Sequence, residues 1–390
     1  MPSWSIDPVV DWLLHKGRYE NEPEALLASI CTRVQAAGLP IDRVTVFIST
    51  LHPQYFGFSL SWQDGATQRV YGEHGALIES PLQNSPMRDI ASGQRVIRRR
   101  LEDPDCPLDY PILHDLKADG YTDYLIVELV FSSGQRNGVS LATRAPGGFD
   151  DHDIQETERI LHLFALLMEN NTNQGIAANL MDTYLGTISG ARVLQGQIKR
   201  GDGDQIDAVI WFSDLRESTR LAETLGHERF LALLNDYFEA TAGAVLDHGG
   251  EVLRFIGDAS LAVFPIASVD DTADICARSL EAARDARARV AVINAKRSAE
   301  SLPGFSYGVG LHRGEVLYGN IGTHNRLEFS VIGPAANETA RIEALCKSTG
   351  SDVVISESVI QHVGGQTSWP SLGHHALRGV DRAIEIFALP

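Results

Sequence analysis

Residues 249–265 read GGEVLRFIGDASLAVFP, and this stretch decides how the C-terminal half of the chain folds. Two apolar runs, Glu251–Ile256 and Ser260–Phe264, are rich in the branched and aromatic residues that favour strands. Gly257-Asp258 separates them, and a two-residue link that begins with glycine is typical of a tight hairpin. The paired glycines in front of the first run favour the end of a helix. We therefore predict a helix that stops at Gly249 and leads into a β-hairpin.

Helical and strand patterns alternate on both sides of this hairpin. The segment His227–His248 carries an apolar stripe at helical spacing, which predicts a helix in front of the hairpin. Further helices are predicted over about residues 269–295 and 335–349, and strands over residues 208–212, 305–312 and 315–319. This order of elements predicts an α+β domain over residues 206–390, with helices on one face of an antiparallel-rich sheet.

Two aspartates end apolar strands in this domain. Asp214 lies in WFSDLREST (211–219), and Asp258 lies in the hairpin turn. Carboxylates on neighbouring strands suit hard divalent cations, which bind oxygen ligands and keep positions open for phosphate. A pair of such cations would stabilise the attacking and leaving oxygens in phosphoryl transfer. Taken one at a time, Asp214 fits equally well as a helix cap, and Asp258 fits equally well as a turn residue.

Four blocks of sequence resemble, in the same order, the catalytic domain of class III nucleotidyl cyclases. They are FSDLRES (212–218), GGEVLRFIGDASLAVFP (249–265), GVGLHRGEVLYGNIG (308–322) and FSVIGPAANETARIEALCK (329–347). The resemblance covers about 180 residues and implies a ferredoxin-like α+β fold. It also implies the conversion of a nucleoside triphosphate into its 3′,5′-cyclic monophosphate and pyrophosphate.

The resemblance assigns roles to five residues. It implies a homodimer in which each active site lies between two catalytic domains that pair head to tail. Asp214 and Asp258 match the family's metal-binding aspartates, which would hold two Mg²⁺ or Mn²⁺ ions. Asn337 and Arg341 of the partner protomer would orient the ribose and offset the charge that grows on the α-phosphate. Arg378, in HALRGV, matches a basic position that contacts the triphosphate.

The residues after Asp214 are expected to bind the polyphosphate through their backbone. Leu215, Arg216, Glu217 and Ser218 are predicted to open a helix, whose free N–H groups suit phosphate. In the mechanism that the resemblance implies, the ribose 3′-hydroxyl attacks the α-phosphorus in line and pyrophosphate leaves. No residue of the sequence stands out as a general base.

Base recognition departs from the family pattern at two positions. Arg254 stands where adenylate-specific members carry lysine, and it presents a planar fork in place of a point donor. Ser330 stands where they carry aspartate or threonine, and its hydroxyl can accept from the adenine amino group. Guanylate-specific members carry glutamate at the first position, and arginine accepts no hydrogen bond. ATP is therefore predicted as the substrate, followed by a pyrimidine triphosphate and then GTP.

Residues 1–170 have the pattern of a separate α/β domain. Helices are predicted over Asp7–His15 and Pro23–Ala37, and a strand over Arg43–Thr50. A hairpin over about residues 124–143 and an exit helix that starts near Asp150 complete this domain. The order of elements resembles a GAF-type sensory domain, which implies a regulatory role and leaves a small-molecule ligand open. Residues 171–205 are predicted to form a helical connector, with a solvated linker as the alternative.

Length and composition narrow the classes of function. A chain of 390 residues is long enough for two domains, and its net charge of −18 argues against a nucleic-acid-binding surface. Four widely spaced cysteines without a CxxC pair are typical of reduced thiols, so we predict a cytoplasmic protein. The apolar run over residues 161–168 is too short to span a bilayer. A catalytically silent nucleotide-binding module and a metal phosphohydrolase are the alternatives; a phosphohydrolase would require His/Asp clusters.

Overall fold

A computed structural model describes residues 4–74, 84–364 and 369–390 of the chain. The chain divides into two compact units, Met1–Leu180 and Met181–Pro390. Among the described residues, each unit contains its own sheet, with six strands in the first and eight in the second.

The N-terminal unit is built on an antiparallel sheet. Its strands are β1 (Arg43–Ser49), β2 (Tyr55–Gln63), β3 (Ala66–Glu73), β4 (Val96–Arg100), β5 (Asp123–Val130) and β6 (Arg136–Thr143), in the spatial order β3-β2-β1-β6-β5-β4. Its helices are α1 (Asp7–His15), α2 (Pro23–Ala37), α3 (Pro86–Ser92), α4 (Pro111–Ala118) and the start of α5 (Asp151–Leu185). The predicted α1 and α2 are confirmed. The expected α/β class is wrong for this unit, because every strand pair of its described residues is antiparallel and the arrangement is therefore α+β.

Apolar side chains cover both faces of this sheet. One cluster packs α1, α2 and α5 against the sheet and includes Leu13, Leu26, Trp62 and Phe164. A second cluster packs α3 and α4 and includes Ile90, Leu113, Tyr124 and Ile126. The alternation of the two sets along β5 follows from the period of two in a strand.

The C-terminal unit has a larger sheet, which over the described residues is antiparallel apart from one strand pair. Its strands are β7 (Gly203–Leu215), β8 (Glu251–Ile256), β9 (Ala259–Ile266), β10 (Tyr307–Gly322), β11 (Leu327–Ile332), β12 (Val353–Ser356), β13 (Ser371–His375) and β14 (Ile384–Ala388). Its helices are α6 (Thr187–Leu194), α7 (Ser218–Leu225), α8 (His227–Asp247), α9 (Thr272–Ala299), α10 (Pro334–Ala344), α11 (Cys346–Thr349) and α12 (Glu357–Ile360). The spatial order is β13-β14-β12-β10-β7-β9-β8, with β11 paired to β10 and with β10 and β12 parallel.

The predicted hairpin and its flanking helix are confirmed as β8, β9 and α8. Two predicted strands, over residues 305–312 and 315–319, form the single strand β10 instead. Arg313-Gly314 continues the ladder opposite Val209 and Ala208, so the glycine does not interrupt the strand. The helix predicted over residues 335–349 breaks at Leu345, between α10 and α11. The predicted connector is helical over α5 and α6, which are separated by Gly186 at φ +89°.

Candidate active site

Two paired strands bring Asp214 and Asp258 to the same edge of the sheet. Strand β7 pairs with β9 in a register that places Asp214 opposite Ala259. The backbone N–H of Leu215 donates to the carbonyl of Asp258 over 3.3 Å. The aspartate at the end of β7 therefore lies beside the aspartate in the β8–β9 turn.

The charges at this edge favour a bound cation. Burial raises the pKa of Asp214, and the negative charge of Asp258 raises it further. The Arg216 guanidinium, whose Nη1 lies 3.5 Å from Oδ2 of Asp214, acts in the opposite direction. Two oxygen-donor carboxylates that destabilise each other are a donor set that Mg²⁺ or Mn²⁺ fits.

The aspartates alone do not form a complete metal site. Within residues 4–74, 84–364 and 369–390, no group of three or more His, Cys, Asp or Glu side chains is arranged to hold a metal ion. Mg²⁺ is commonly bound by one or two carboxylates together with water and substrate phosphates. The residues present therefore fit a cation that arrives with a triphosphate better than a cation enclosed by protein.

Three buried hydroxyl groups link β7, β9 and α8 next to the two aspartates. The Oγ atoms of Ser213 and Ser260 lie 2.7 Å apart, and the Tyr237 hydroxyl donates to Ser213 over 2.9 Å. All three residues are buried, so each hydroxyl gains a partner that it would otherwise lack. Sequence reasoning missed this cluster, although a serine inside each apolar strand was the available signal.

The backbone after Asp214 differs from the predicted phosphate-binding helix start. The N–H of Leu215 is bonded to Asp258, and the N–H of Arg216 donates to the carbonyl of Ser306 over 2.9 Å. Glu217 adopts a left-handed conformation, and helix α7 begins only at Ser218. Two of the four amides assigned to polyphosphate are thus engaged inside the chain. The prediction is corrected for Leu215 and Arg216 because the strand ladder continues past Asp214.

The proposed base-reading residues lie in contact. Nη2 of Arg254, on β8, donates to Oγ of Ser330, on β11, over 2.8 Å. Nε of Arg254 also lies 3.0 Å from Oε1 of Glu328. Ser330 is buried, whereas about half of the Glu328 side chain is exposed. Glu328 was missed; its position two residues before Ser330, on the same face of the strand, was the signal.

Helix α10 carries the two predicted transition-state residues. Asn337 and Arg341 are four residues apart and share a helix face. The loop that contains Arg378 lies beside Arg341: a methyl group at Gly379 would be 3.7 Å from Nη1 of Arg341. Among the described residues, no hydrogen bond or ion pair joins Asn337 or Arg341 to either aspartate of the same chain. Within one chain, the two aspartates and the α10 pair are therefore not directly bonded to each other.

A buried carboxylate follows Arg341 on the same helix. Glu343 has Oε1 at 2.5 Å from Nη2 of Arg216. Burial raises the pKa of Glu343 to about 7, and the Arg216 guanidinium opposes this rise. Neither the Arg216 side chain nor Glu343 was assigned a role from the sequence.

Residues 203–389 match the sequence model of the adenylate and guanylate cyclase catalytic domain. These residues are a class III cyclase catalytic domain. The cyclase domain is 33% identical, over 182 residues, to an adenylate cyclase of Anabaena cylindrica. The aligned region is 46% of this chain and 34% of that protein. Adenylate cyclase 1 of Rhizobium meliloti is 26% identical over 183 residues, which is 46% of this chain and 27% of that protein.

The chain spans only about a third of the length of the first of these curated relatives and about a quarter of the second. Among solved structures, the guanylyl cyclase Cya2 is 29% identical with a TM-score of 0.43, over 48% of this chain and 92% of that one. In the part of the chain that the structure describes, no helix is both long enough and apolar enough to cross a membrane.

Proposed function

We propose that the chain is an adenylate cyclase that converts ATP into 3′,5′-cyclic AMP and pyrophosphate. The observation that supports this most directly is the adjacency of Asp214 and Asp258 at the ends of two paired strands of a cyclase domain. The relatives named above as adenylate cyclases support ATP as the substrate.

In the proposed mechanism, residues of this chain orient the nucleotide and balance its charge. Two divalent cations on Asp214 and Asp258 would supply Lewis-acid chemistry at the ribose hydroxyl and the triphosphate. Asn337 holds the ribose so that its 3′-oxygen faces the α-phosphorus in line. Arg341 places a fixed positive charge where negative charge grows during the reaction, which is where such sites gain most of their rate. Arg378 contacts the departing pyrophosphate.

We propose that the site is completed by a second copy of the chain. Within the described residues, neither Asn337 nor Arg341 is bonded to the aspartates of its own chain, and the family resemblance assigns both residues to the partner protomer. Exposed apolar side chains next to the Asp258 turn support a surface that a second copy covers. Phe255 is 55% exposed and Ile256 is 45% exposed, although both lie beside the site.

The Arg254–Ser330 pair supports adenine as the base. Because the Ser330 hydroxyl accepts from Arg254, a lone pair of the same oxygen remains to accept from the adenine amino group. The Glu328 carboxylate moves GTP ahead of a pyrimidine triphosphate as the second candidate, because it adds an acceptor that the N1 and N2 donors of guanine require. Incubation with ATP, GTP, CTP and UTP in turn, with Mg²⁺ or Mn²⁺, followed by separation of the products, tests the substrate. Absence of any cyclic product would contradict the proposed function.

Arg254→Lys is expected to raise kcat/KM for ATP relative to the other three triphosphates. A single ammonium donor would replace the planar fork and leave Ser330 less constrained. The ratio of kcat/KM values across the four nucleotides measures this effect. Arg284→Lys, which alters an arginine of α9 that is ion-paired with Glu281, is the control. An unchanged ratio in Arg254→Lys would remove this residue from base recognition.

We propose that the N-terminal unit is a GAF-like regulatory domain. An antiparallel six-stranded sheet with helices on both faces and a long exit helix supports this assignment. An apolar cavity of about 280 Å³, lined by residues that include Phe47, Phe58, Tyr71 and Met87, is a place for a small-molecule ligand.

A further inference from the structure

The side chain of Arg216 joins helix α10 to the edge of the sheet where Asp214 and Asp258 lie. This edge is called the metal edge below. Its Nη2 lies 2.5 Å from Oε1 of Glu343, and its Nη1 lies 3.5 Å from Oδ2 of Asp214. The Glu343 side chain is 5% exposed, and that of Arg216 is 21% exposed. The guanidinium therefore bridges a carboxylate assigned to the metal edge and a buried carboxylate on a different element.

Two glycines of β10 leave the space in which this ion pair forms. Gly308 is opposite Asp214 in the strand register, and a methyl group there would collide with both Arg216 and Glu343. At Gly310 a methyl group would lie 2.6 Å from the backbone nitrogen of Glu343. The backbone of α10 thus rests directly on the backbone of β10, and the ion pair holds the C-terminal end of the helix on the sheet.

The same helix carries Asn337 and Arg341, and Glu343 follows Arg341 by two residues. We propose that Arg216 and Glu343 are positioning residues that fix α10 to the strand carrying Asp214. Each protomer gives its aspartates to one site and its α10 to the other. The ion pair of Arg216 with Glu343, called the tether below, therefore keeps both contributions in register. The inference rests on the shared site proposed above.

The tether has a different effect at each of its ends. At α10, loss of the ion pair removes the contact between the partly buried Arg216 guanidinium and the helix, and it frees the end of the helix. A displacement of about 1 Å is enough to cost about 10²-fold in rate. At the metal edge, Glu343 draws the Arg216 cation away from Asp214. When the negative charge of Glu343 is removed, Arg216 pairs with Asp214 and competes with the divalent cation for the Asp214 carboxylate.

Mixed dimers with one intact site separate these two effects. In a dimer of one Asp258→Asn protomer and one Arg341→Ala protomer, the first gives α10 and the second gives the aspartates to the intact site. Glu343→Gln is introduced into either protomer, so the same substitution serves as its own matched control. Cyclisation is measured at varied nucleotide and Mn²⁺ concentrations.

A binding experiment uses the Glu343→Gln homodimer and 3′-deoxyATP, which lacks the attacking hydroxyl. The electron paramagnetic resonance signal of free Mn²⁺ then measures how much Mn²⁺ is bound.

If the tether acts as proposed, Glu343→Gln has different effects on the two protomers of the mixed dimer. On the Asp258→Asn protomer, Glu343→Gln lowers kcat by about tenfold or more, with the Mn²⁺ requirement unchanged. On the Arg341→Ala protomer it leaves kcat at saturating Mn²⁺ unchanged and raises the Mn²⁺ concentration required. The 3′-deoxyATP complex of the homodimer binds Mn²⁺ more weakly than the parent complex. Equal losses in both placements with a lowered unfolding midpoint, or no loss in the first placement, overturn the tether. An inactive mixed dimer without Glu343→Gln overturns the shared site itself, and the tether with it.

Discussion

Asp258→Asn is expected to lower the rate of cyclic nucleotide formation by about 10³-fold, because one of the two carboxylates that hold the cations is lost. The substitution keeps the shape of the side chain and removes its charge. Initial rates at saturating ATP and Mn²⁺ measure the effect. Asp274→Asn, which alters an exposed aspartate of α9, should retain the parent rate.

The stability of the same variant separates loss of metal binding from loss of folding. Asp214 and Asp258 repel each other in the absence of a cation, and the negative charge of Asp258 raises the pKa of Asp214. Removal of one charge should therefore leave the midpoint of thermal unfolding unchanged or slightly raised in metal-free buffer. A variant that keeps parent activity would contradict the assignment of Asp258, and an inactive variant with a strongly lowered midpoint would point to misfolding instead.

Arg341→Ala is expected to lower kcat by about 10²–10³-fold and to change the KM for ATP little. The guanidinium is proposed to act on charge that appears only in the transition state. An interaction of that kind lowers kcat and kcat/KM together when it is removed. Steady-state kinetics with ATP measure both constants, and Arg284→Ala on α9, an arginine ion-paired with Glu281, is the control. A raised KM with unchanged kcat would show that Arg341 only binds the ground state.

Local sequence signals account for the elements that were predicted correctly. The β8–β9 hairpin follows from Gly257-Asp258, and α2 begins at Pro23 and is followed by Gly38, so its boundaries carry their own signals. The hairpin of β2 and β3 was missed, although Asp64-Gly65, with φ values of 51° and 81°, is among the strongest turn signals in the chain. The predicted strands over residues 305–312 and 315–319 leave a gap at Arg313-Gly314, and a glycine favours such a break. The ladders on both sides of β10 override that local preference.

In the candidate site too, local motifs could be predicted from the sequence and long-range contacts could not. The aspartates, Asn337 and Arg341 could be placed by motif, because each lies in a block with a recognisable order. The contact of Arg254 with Glu328 joins residues far apart in the chain, and so does the ion pair of Arg216 with Glu343. Such contacts depend on how strands and helices pack, and spacing within one segment carries no information about them.

The sharing of each site between two chains is tested most directly by mixing two inactive proteins. Asp258→Asn and Arg341→Ala homodimers are purified separately, exchanged into mixed dimers and assayed with ATP. Random exchange makes half of the dimers mixed, and each mixed dimer has one site with every proposed group, so about a quarter of parent activity should return. A mixture that exchanges subunits and stays as inactive as its components would show that the aspartates and the arginine do not meet across two chains.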